Sequence, residues 1–453
     1  MGQQKALLFH GAVIHSVSPT DLEILESALI ITDTDGQIIL FEKNADHVPD
    51  VLNLPTHPDL KIDDVEIHRL SEGEFLIPGL IDTHNHAPQY PQRGQGQGLH
   101  ILDWLSAVTF PKEAKFADPE YARRVYARCI DGFLKQGITT AAYYASAHGE
   151  ATRILADLCL AKGQRALVGK CNMDRNAPDY YRDASVEESL AVTEECIAHI
   201  RRIDPHSTLV QPVLTPRFAI TCDPAALAGL GAIAAREPDL PIQTHFNEAR
   251  QEMAATKELF PQFACETDLY AHFGLLGPRS ILAHCCYMSE YELQRFVELG
   301  CGIAHCPVSN MTIGGGFMTA PVREFLRRGI KVGLGTDSGG GFSSSVLDAM
   351  RQALIASNAR EVMSEGKDKG LAIEELFYMA TLGGARVCSL EGKVGNFAVG
   401  KEFDACLIST VVEDQIMTMV EADDTLKVVF EKFAMTGDDR NITHVFVRGR
   451  RVK

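Results

Sequence analysis

The sequence predicts an α/β protein: a (β/α)8 (TIM) barrel joined to a small, β-sandwich-like domain that both chain ends build. Three observations support this fold class. Eight apolar stretches alternate with helical patterns through the middle of the chain, as the strands and helices of a parallel barrel do. Strand-like segments occur near both termini. The length of 453 residues accommodates a barrel of roughly 250 residues and a further domain.

The chain ends read as short strands separated by turns. The strand-like segments are 7–14, 28–32, 37–41, 404–409 and 444–452. Asp35 and Gly36 lie between the second and third of them, which is a hairpin signal. Because chain termini often lie close together, we expect residues 1–77 and 396–453 to form one composite β domain. The polar segment 46–64 is predicted to be an exposed loop.

The central part, residues 78–395, is predicted to form the catalytic barrel. The eight predicted strands are 75–86, 137–144, 165–171, 208–215, 240–245, 280–284, 301–306 and 331–336. Helical patterns between them include 119–136, 186–202 and 289–299. Active sites of such barrels lie at the carboxyl ends of the strands, so polar residues there are candidates for chemistry.

Composition narrows the partners that the protein can have. Asp and Glu number 60 against 43 Lys and Arg, and the net charge is −17. This balance argues against nucleic acid and against an anionic membrane surface. No apolar run approaches the ~20 residues of a membrane span. The 12 cysteines are scattered, which favours reduced thiols and a cytoplasmic protein.

Two histidines end the first predicted barrel strand. His84 and His86 are two residues apart, so their side chains lie on the same face of the strand. Two imidazoles on one face can chelate a single ion. An isolated pair of this kind is more often structural, but these two stand where barrel enzymes hold their active sites.

Three further polar residues end other predicted strands. His245 ends the fifth, His284 ends the sixth, and Asp337 follows the eighth. Each residue alone is more often structural than catalytic, but their shared position reverses that weighting. Three imidazoles and one carboxylate suit a Lewis-acid metal, either zinc or iron. We therefore predict that one ion is held by His84, His86, His245 and Asp337.

The predicted metal shell implies hydrolytic chemistry. A metal-bound water loses a proton near neutrality, and Asp337 can accept it. Glu248 follows His245 by three residues and is suited to protonating a leaving group or a ring nitrogen. His284 can stabilise the hydroxide or polarise the attacked centre. The sequence leaves open a plainer interpretation of Glu248, as a solvated loop carboxylate or a helix cap.

Three residues are candidates for binding the substrate. Arg217 follows the fourth strand and offers a rigid fork of donors to a carbonyl oxygen. Phe218 can stack on a planar ring, and the amide of Gln89 can donate and accept hydrogen bonds. A surface salt bridge for Arg217 and a core position for Phe218 are equally open alternatives.

Several segments resemble the amidohydrolase superfamily, and the resemblance covers nearly the whole chain. Its markers are PGLIDTHNH at 78–86, QTHFNE at 243–248, AHC at 283–285, GLGTD at 333–337 and GNFAVGKEFDACLIS at 395–409. Within that superfamily, the chain resembles the guanine deaminases. The more specific markers are 86–116, which begins HAPQY and contains LDWL and TFPKEAKF, together with TPRF at 215–218, HFNEAR at 245–250, 304–317 and 336–353.

The resemblance implies hydrolytic deamination of guanine to xanthine and ammonia. One zinc ion would lie on the four predicted ligands, and the zinc-bound hydroxide would attack C2 of the purine. Glu248 would act as the proton shuttle to N3, Asp337 as the base, and Arg217 would donate to O6. The residues implied to hold the base are His86, Gln89, Arg217, Phe218, His245, Glu248 and Asp337. The resemblance also implies a homodimer.

Three alternatives remain open at this stage. The nearest is another zinc aminohydrolase of the same superfamily, acting on a related oxo-purine, a pterin or a triazine. A barrel that has lost activity and serves as a binding scaffold would show a damaged ligand set, whereas this set is intact. A nucleic-acid deaminase acting on flipped bases would carry a basic stripe, which the acidic composition disfavours.

Overall fold

The computed structural model describes residues 5–45, 65–314 and 318–453. They form a mixed α/β fold of parallel strands alternating with helices, together with one larger sheet from the chain ends. The strands are β1 (Ala6–Ser16), β2 (Leu22–Thr32), β3 (Ile38–Glu42), β4 (Val65–Arg69), β5 (Glu74–Pro78), β6 (Leu80–His86), β7 (Ile138–Tyr144), β8 (Arg165–Gly169), β9 (Cys171–Asn172), β10 (Val210–Pro212), β11 (Thr215–Pro216), β12 (Ile242–Phe246), β13 (Ser280–His284), β14 (Gly302–His305), β15 (Lys331–Leu334), β16 (Ala405–Ser409), β17 (Ile442–Val447) and β18 (Arg450–Arg451).

Helices lie between most of the parallel strands, and the last helix lies between β16 and β17 of the larger sheet. They are α1 (Ile101–Trp104), α2 (Phe110–Glu113), α3 (Pro119–Lys135), α4 (Gly149–Lys162), α5 (Val186–Ile203), α6 (Pro224–Arg236), α7 (Arg250–Leu259), α8 (Glu266–His272), α9 (Glu290–Leu299), α10 (Pro307–Thr312), α11 (Val322–Arg327), α12 (Val346–Met363), α13 (Ile373–Ala380), α14 (Leu382–Val387) and α15 (Leu426–Thr436). Capping residues explain where two of these helices begin. Asp118 accepts a hydrogen bond from the Glu120 amide at the start of α3, and Ser289 and Glu292 form a capping box at the start of α9. No helix in the described ranges combines the length and hydropathy needed to cross a bilayer.

The parallel strands lie in sheets of four, two and four strands, ordered β10-β8-β7-β6, β11-β9 and β12-β13-β14-β15. Two expectations about them need correction. The predicted strand 75–86 is divided at Gly79, because β5 pairs in the sheet from the chain ends whereas β6 pairs with β7. A Cβ at Gly79 would overlap the side chain of Thr139, so the chain crosses between the sheets at a residue without one. The predicted strands 165–171 and 208–215 are each interrupted, giving β8 with β9 and β10 with β11.

Strands from both chain ends share one eight-stranded sheet, in the order β18-β17-β16-β5-β1-β2-β3 with β4 also beside β1. The expected hairpin is confirmed, because β2 and β3 pair antiparallel. Its turn requires Gly36, whose φ is +79°. β16 joins the termini, pairing with β5 on one side and β17 on the other. The sandwich-like packing of these strands stays a prediction, and the loop predicted at 46–64 lies outside the described residues.

The carboxyl ends of the parallel strands carry the candidate site. All residues of β6, β12 and β13 are buried, and most of their apolar side chains pack into the core between sheet and helices. The chain after β15 is fixed against β6, because the Asp337 amide donates to the His84 carbonyl at 2.9 Å. The buried carboxylate of Asp82 also accepts from the Thr336 amide, at 2.9 Å. These bonds hold the ends of β6 and β15 side by side.

Candidate metal centre and substrate cavity

Three histidines and an aspartate converge at the ends of β6, β12 and β15. One ligating nitrogen from each of His84, His86 and His245 lies within 4.8 Å of the others. Nε2 of His86 and Nε2 of His245 are 3.0 Å apart. Oδ1 of Asp337 lies 3.4 Å from Nε2 of His84 and 3.6 Å from Nε2 of His86. The structure therefore brings together all four residues that the sequence predicts as ligands.

The spacing of these four side chains fits a single ion. Ligand atoms about 2.0–2.2 Å from a tetrahedral zinc lie about 3.3–3.5 Å from one another, close to the distances found here. Both ring nitrogens of His84 are buried and have no hydrogen-bond partner among the described residues. An unpartnered buried nitrogen is costly unless something binds it, and a cation among the four side chains would remove that cost.

Protonation states in the cluster also suit a metal. Burial lowers the pKa of His86 and of His245 well below the ordinary value, so both imidazoles are neutral. Burial alone would raise the pKa of Asp337, but the adjacent imidazoles, His84 above all, outweigh burial and hold that pKa well below its usual range. Neutral imidazoles and an ionised carboxylate are the forms that coordinate metals.

Neighbouring groups fix the orientation of two rings. Nδ1 of His245 donates to the carbonyl oxygen of Arg217 at 2.6 Å, which leaves Nε2 free to face the cluster. Nδ1 of His284 donates to Oδ1 of Asn310 at 2.8 Å.

His284 and Asp337 both have positive φ values, 74° and 43°, in a region that non-glycine residues rarely adopt. Such backbone strain often accompanies functional sites.

Glu248 lies beside the cluster on the loop between β12 and α7. Its side chain is almost fully buried, which excludes the solvated loop carboxylate left open by the sequence. Oε2 of Glu248 is 3.6 Å from Nε2 of His284, a nitrogen without a hydrogen-bond partner in the part of the chain that the structure describes. Burial raises the pKa of Glu248, so its carboxyl group is better able to carry a proton near neutrality.

The cluster opens into a small cavity that also contains the predicted binding residues. Its lining consists of His86, Gln89, Ile101, Trp104, Leu105, Arg217, Phe218, His245, Glu248, Ile313 and Asp337. Arg217 is buried, so its predicted alternative as a surface salt bridge is wrong. Phe218 is buried among apolar neighbours, yet its ring also faces the cavity, 6.0 Å from the ring of His245. The core position left open by the sequence is therefore confirmed, and stacking of Phe218 on a planar ring stays a prediction.

Glu113, at the end of α2, contacts two residues of the candidate site and is absent from the sequence predictions. Its carboxylate accepts from Arg217 Nη1 at 2.7 Å and from Nη2 at 3.2 Å. It also accepts from Gln89 Nε2 at 2.7 Å and from the Tyr181 hydroxyl at 2.5 Å. The marker segment 86–116 contains Glu113, but a glutamate among lysines in a helical pattern is usually exposed. Only its place in that segment could have drawn attention to it.

The chain belongs to the amidohydrolase family, which matches residues 75–452. It is therefore a hydrolase of a family whose members generally bind a divalent metal. More particularly, it is 40% identical over 446 residues to a probable guanine deaminase of Schizosaccharomyces pombe, covering 98% of this chain and 83% of that protein. A guanine deaminase of Dictyostelium discoideum is 39% identical, covering 98% of each chain. A crystal structure of guanine deaminase from C. acetobutylicum, with guanine bound in the active site, superposes with a TM-score of 0.88 at 33% identity, covering 99% of this chain and 100% of that one.

Proposed function

We propose that the protein is a zinc-dependent guanine deaminase that converts guanine and water to xanthine and ammonia. One observation carries the proposal: a single cavity is lined by three of the predicted ligands, which are His86, His245 and Asp337, and also by Glu248, Gln89 and Arg217. The similarity to guanine deaminases over nearly the full chain supports the same substrate. The proposed ligands are His84, His86, His245 and Asp337, with one zinc per chain; iron accepts similar ligands.

The proposed binding mode uses the oxo edge of the purine. The guanidinium of Arg217 is anchored by Glu113 and retains donor capacity for O6. Phe218 offers an apolar face to the ring. Adenine carries an amine at C6, which would leave the buried guanidinium facing another donor. An unpaired buried group of this kind strongly disfavours the wrong base.

In the proposed mechanism, Asp337 and Glu248 transfer protons and His284 positions the attacking water. A zinc ion, when bound, lowers the pKa of a water molecule towards neutrality. Asp337 is ionised and accepts the proton that the attacking water loses. Glu248 carries a proton in its buried carboxyl group and delivers it to N3 as the water oxygen bonds to C2. His284 directs Nε2 towards Glu248 and holds the attacking oxygen in place. The exocyclic amine then takes the proton held by Asp337, and Glu248 regains a proton from the hydroxyl at C2. The bond from C2 to the exocyclic nitrogen breaks, C2 becomes a carbonyl and ammonia leaves.

We further propose that the parallel strands close into an eight-stranded barrel comprising residues 78–395, with residues 1–77 and 396–453 as a composite β domain. The bond from the Asp337 amide to the His84 carbonyl supports contact between the first and last barrel strands. The side chain of Thr83 adds a bond to the Leu334 carbonyl at 2.9 Å. A parallel bridge between Leu214 and Ile242 links the two halves elsewhere.

The proposed setting is a cytoplasmic homodimer acting on the free base, with no nucleic acid or membrane as partner. The acidic net charge of −17 supports a small-molecule substrate rather than a polyanion. Sedimentation of the purified protein measures the oligomeric state directly. Insensitivity of turnover to moderate salt is the expected result, because no phosphate backbone takes part.

The decisive experiment combines a substrate panel with the Glu248→Gln variant. The wild-type protein should release ammonia from guanine faster than from adenine, cytosine, a pterin or a chloro-triazine, with xanthine as the product of guanine. Glu248→Gln should bind zinc normally but lower kcat by about 10²–10⁴-fold, because the amide cannot shuttle a proton.

The matched control is Glu258→Gln, which removes an exposed carboxylate from α7, the helix that follows Glu248. It should retain wild-type turnover and zinc content. Guanine turnover no faster than that of the other compounds would refute the substrate, and unchanged turnover in Glu248→Gln would refute the mechanism.

A further inference from the structure

The carboxylate of Glu113 is fully enclosed and fully occupied. Its side chain has no solvent exposure. Oε1 accepts from Gln89 Nε2 and from Arg217 Nη2, while Oε2 accepts from Arg217 Nη1 and from the hydroxyl of Tyr181. Four donors match the roughly four lone-pair positions of a carboxylate. Glu113 therefore connects both polar binding residues of the cavity to one buried anion.

The connection determines the orientation of the Gln89 amide. An ionised carboxylate only accepts hydrogen bonds, so the Gln89 group that faces Glu113 must be the NH₂ group. Oε1 of Gln89 is then left as an acceptor, and it is buried with no hydrogen-bond partner in residues 5–45, 65–314 and 318–453. Gly339 packs against the other side of the amide, where a Cβ would overlap both Cβ and Oε1 of Gln89. The side chain is thus held between Glu113 and Gly339.

We propose that Glu113 is a positioning residue that makes the cavity specific for a lactam edge, in which a carbonyl oxygen adjoins a ring N–H. It does so by presenting the Gln89 acceptor beside the Arg217 donors. Guanine offers this pattern at O6 and N1–H. The inference rests on the proposed guanine deaminase activity and deepens it, because Glu113 itself touches neither the ring nor the predicted metal ligands but determines which hydrogen-bonding edge is accepted.

Two substrates that share the reacting carbon but differ at the C6–N1 edge show how that edge alone affects turnover. Guanine and 2,6-diaminopurine carry the same amino group at C2, and hydrolysis gives xanthine or isoguanine with ammonia in both cases. Diaminopurine reverses the edge, with an amine donor at C6 and an acceptor at N1. A site built around the lactam edge should favour guanine by about 10²–10⁴-fold in kcat/KM, because the wrong edge leaves buried groups unpaired.

The test measures the ratio of kcat/KM for guanine to kcat/KM for 2,6-diaminopurine in the Glu113→Gln variant. A glutamine at 113 has one oxygen and one NH₂ group, so it must point a donor at Gln89, Arg217 or Tyr181. Because Arg217 donates to both oxygens of Glu113, its guanidinium faces the new NH₂ group in either orientation of the variant side chain. The fixed arrangement of Arg217 and Gln89 beside the cavity is then lost. The expected result is a fall of the guanine preference by at least about tenfold and a raised KM for guanine, with unchanged zinc content. An unchanged ratio in a folded, zinc-loaded variant would overturn the inference.

Two further variants make the test specific. Glu375→Gln is the matched control, because Glu375 is also a buried glutamate paired with an arginine, Arg323, but it lies on α13 away from the cavity. It should retain the wild-type ratio even if stability falls. Gln89→Leu should lower the ratio as Glu113→Gln does, and the double variant should add little, since Glu113 acts through Gln89. If Gln89→Leu kept the wild-type ratio, the inference would be overturned even if Glu113→Gln failed to fold.

The proposed function and this inference fail in different ways. If the wild-type protein releases no ammonia from guanine, the deaminase assignment fails, and the inference fails with it. If the wild type deaminates guanine but also accepts diaminopurine at a similar rate, the assignment stands and the role of Glu113 is wrong.

Discussion

The carbonyl oxygen of Arg217 accepts a hydrogen bond from Nδ1 of His245 at 2.6 Å, while the guanidinium of the same residue pairs with Glu113. One residue therefore serves two sides of the cavity. Its backbone orients a predicted metal ligand, and its side chain faces the predicted position of the base. Because the two roles belong to different atoms, a change of the side chain should affect substrate binding without affecting the metal.

Replacing Arg217 by Lys tests that separation. A lysine ammonium cannot make two parallel bonds to Glu113 and still donate in a fixed direction to the purine. We expect kcat/KM for guanine to fall by about 10²-fold, with zinc content unchanged because the carbonyl to His245 remains. Steady-state kinetics and elemental analysis measure both quantities. Arg328→Lys, a surface arginine paired with Glu290 and Glu324, should behave as wild type. Loss of zinc in Arg217→Lys would contradict the division of roles.

Removing the metal should destabilise the folded protein. A ligand that binds only the native state stabilises it by about 2.7 kcal/mol at 100 times its dissociation constant. A strong chelator should therefore lower the Tm and abolish turnover, and added zinc should restore both. His86→Gln should lack bound zinc, and its Tm should not respond to chelator. His272→Gln, which changes a histidine at the end of α8, away from the cavity, should respond as wild type does. A chelator-sensitive Tm in His86→Gln would exclude His86 as a ligand.

Much of the site could be predicted because its signals are local. The two-residue spacing of His84 and His86 places both side chains on one face of β6, and the ring centroids lie 5.1 Å apart. His245 and His284 are recognisable because each follows an apolar run at a strand end. Parallel strands bring such ends to the same edge, so the convergence of side chains far apart in sequence follows from the strand pattern alone.

The remaining parts depend on contacts that no local pattern contains. Glu113 and Arg217 are 104 residues apart, and an acidic residue between two lysines gives no sign that it will be buried. The division of the predicted strand 75–86 was missed for a similar reason. Glu74–Pro78 and Leu80–His86 are consecutive strands, and only their pairing partners assign them to different sheets. Gly79 was the local clue to the boundary.

Substituting Gly339 by Ala should impair recognition of the base. Its φ is +124°, which an L-residue rarely adopts, and the added Cβ would overlap Gln89. We expect a stability loss of about 1–3 kcal/mol and a clear rise in KM for guanine. Gly274→Ala is the control for strain alone, because Gly274 has φ +71° and an added methyl group there would meet no atom within 4 Å. It should lose stability but retain KM; an unchanged KM in Gly339→Ala would show that Gln89 adjusts freely.

His305 should make the folded protein sensitive to acid. Burial, with a smaller contribution from the charge of His284, lowers the pKa of His305 from 6.5 to about 3. Above pH 6.5 the imidazole is neutral in both the folded and unfolded states. Between that pH and about 3 only the unfolded chain binds the proton, so the free energy of unfolding falls by up to about 1.4 kcal/mol per pH unit from this residue.

The expected signature of His305→Gln is a shallower dependence of unfolding free energy on pH in that window, by about one proton. Denaturant unfolding at about pH 7, 6, 5 and 4 measures the slope for wild type and variant. The other buried histidines contribute to both curves, so the difference isolates His305. His206→Gln, which changes an exposed histidine, should give a curve parallel to wild type. If the curve for His305→Gln also ran parallel to that of the wild type, the prediction would be wrong. Folded and unfolded protein would then bind this proton equally well, although the His305 ring is buried at the end of β14.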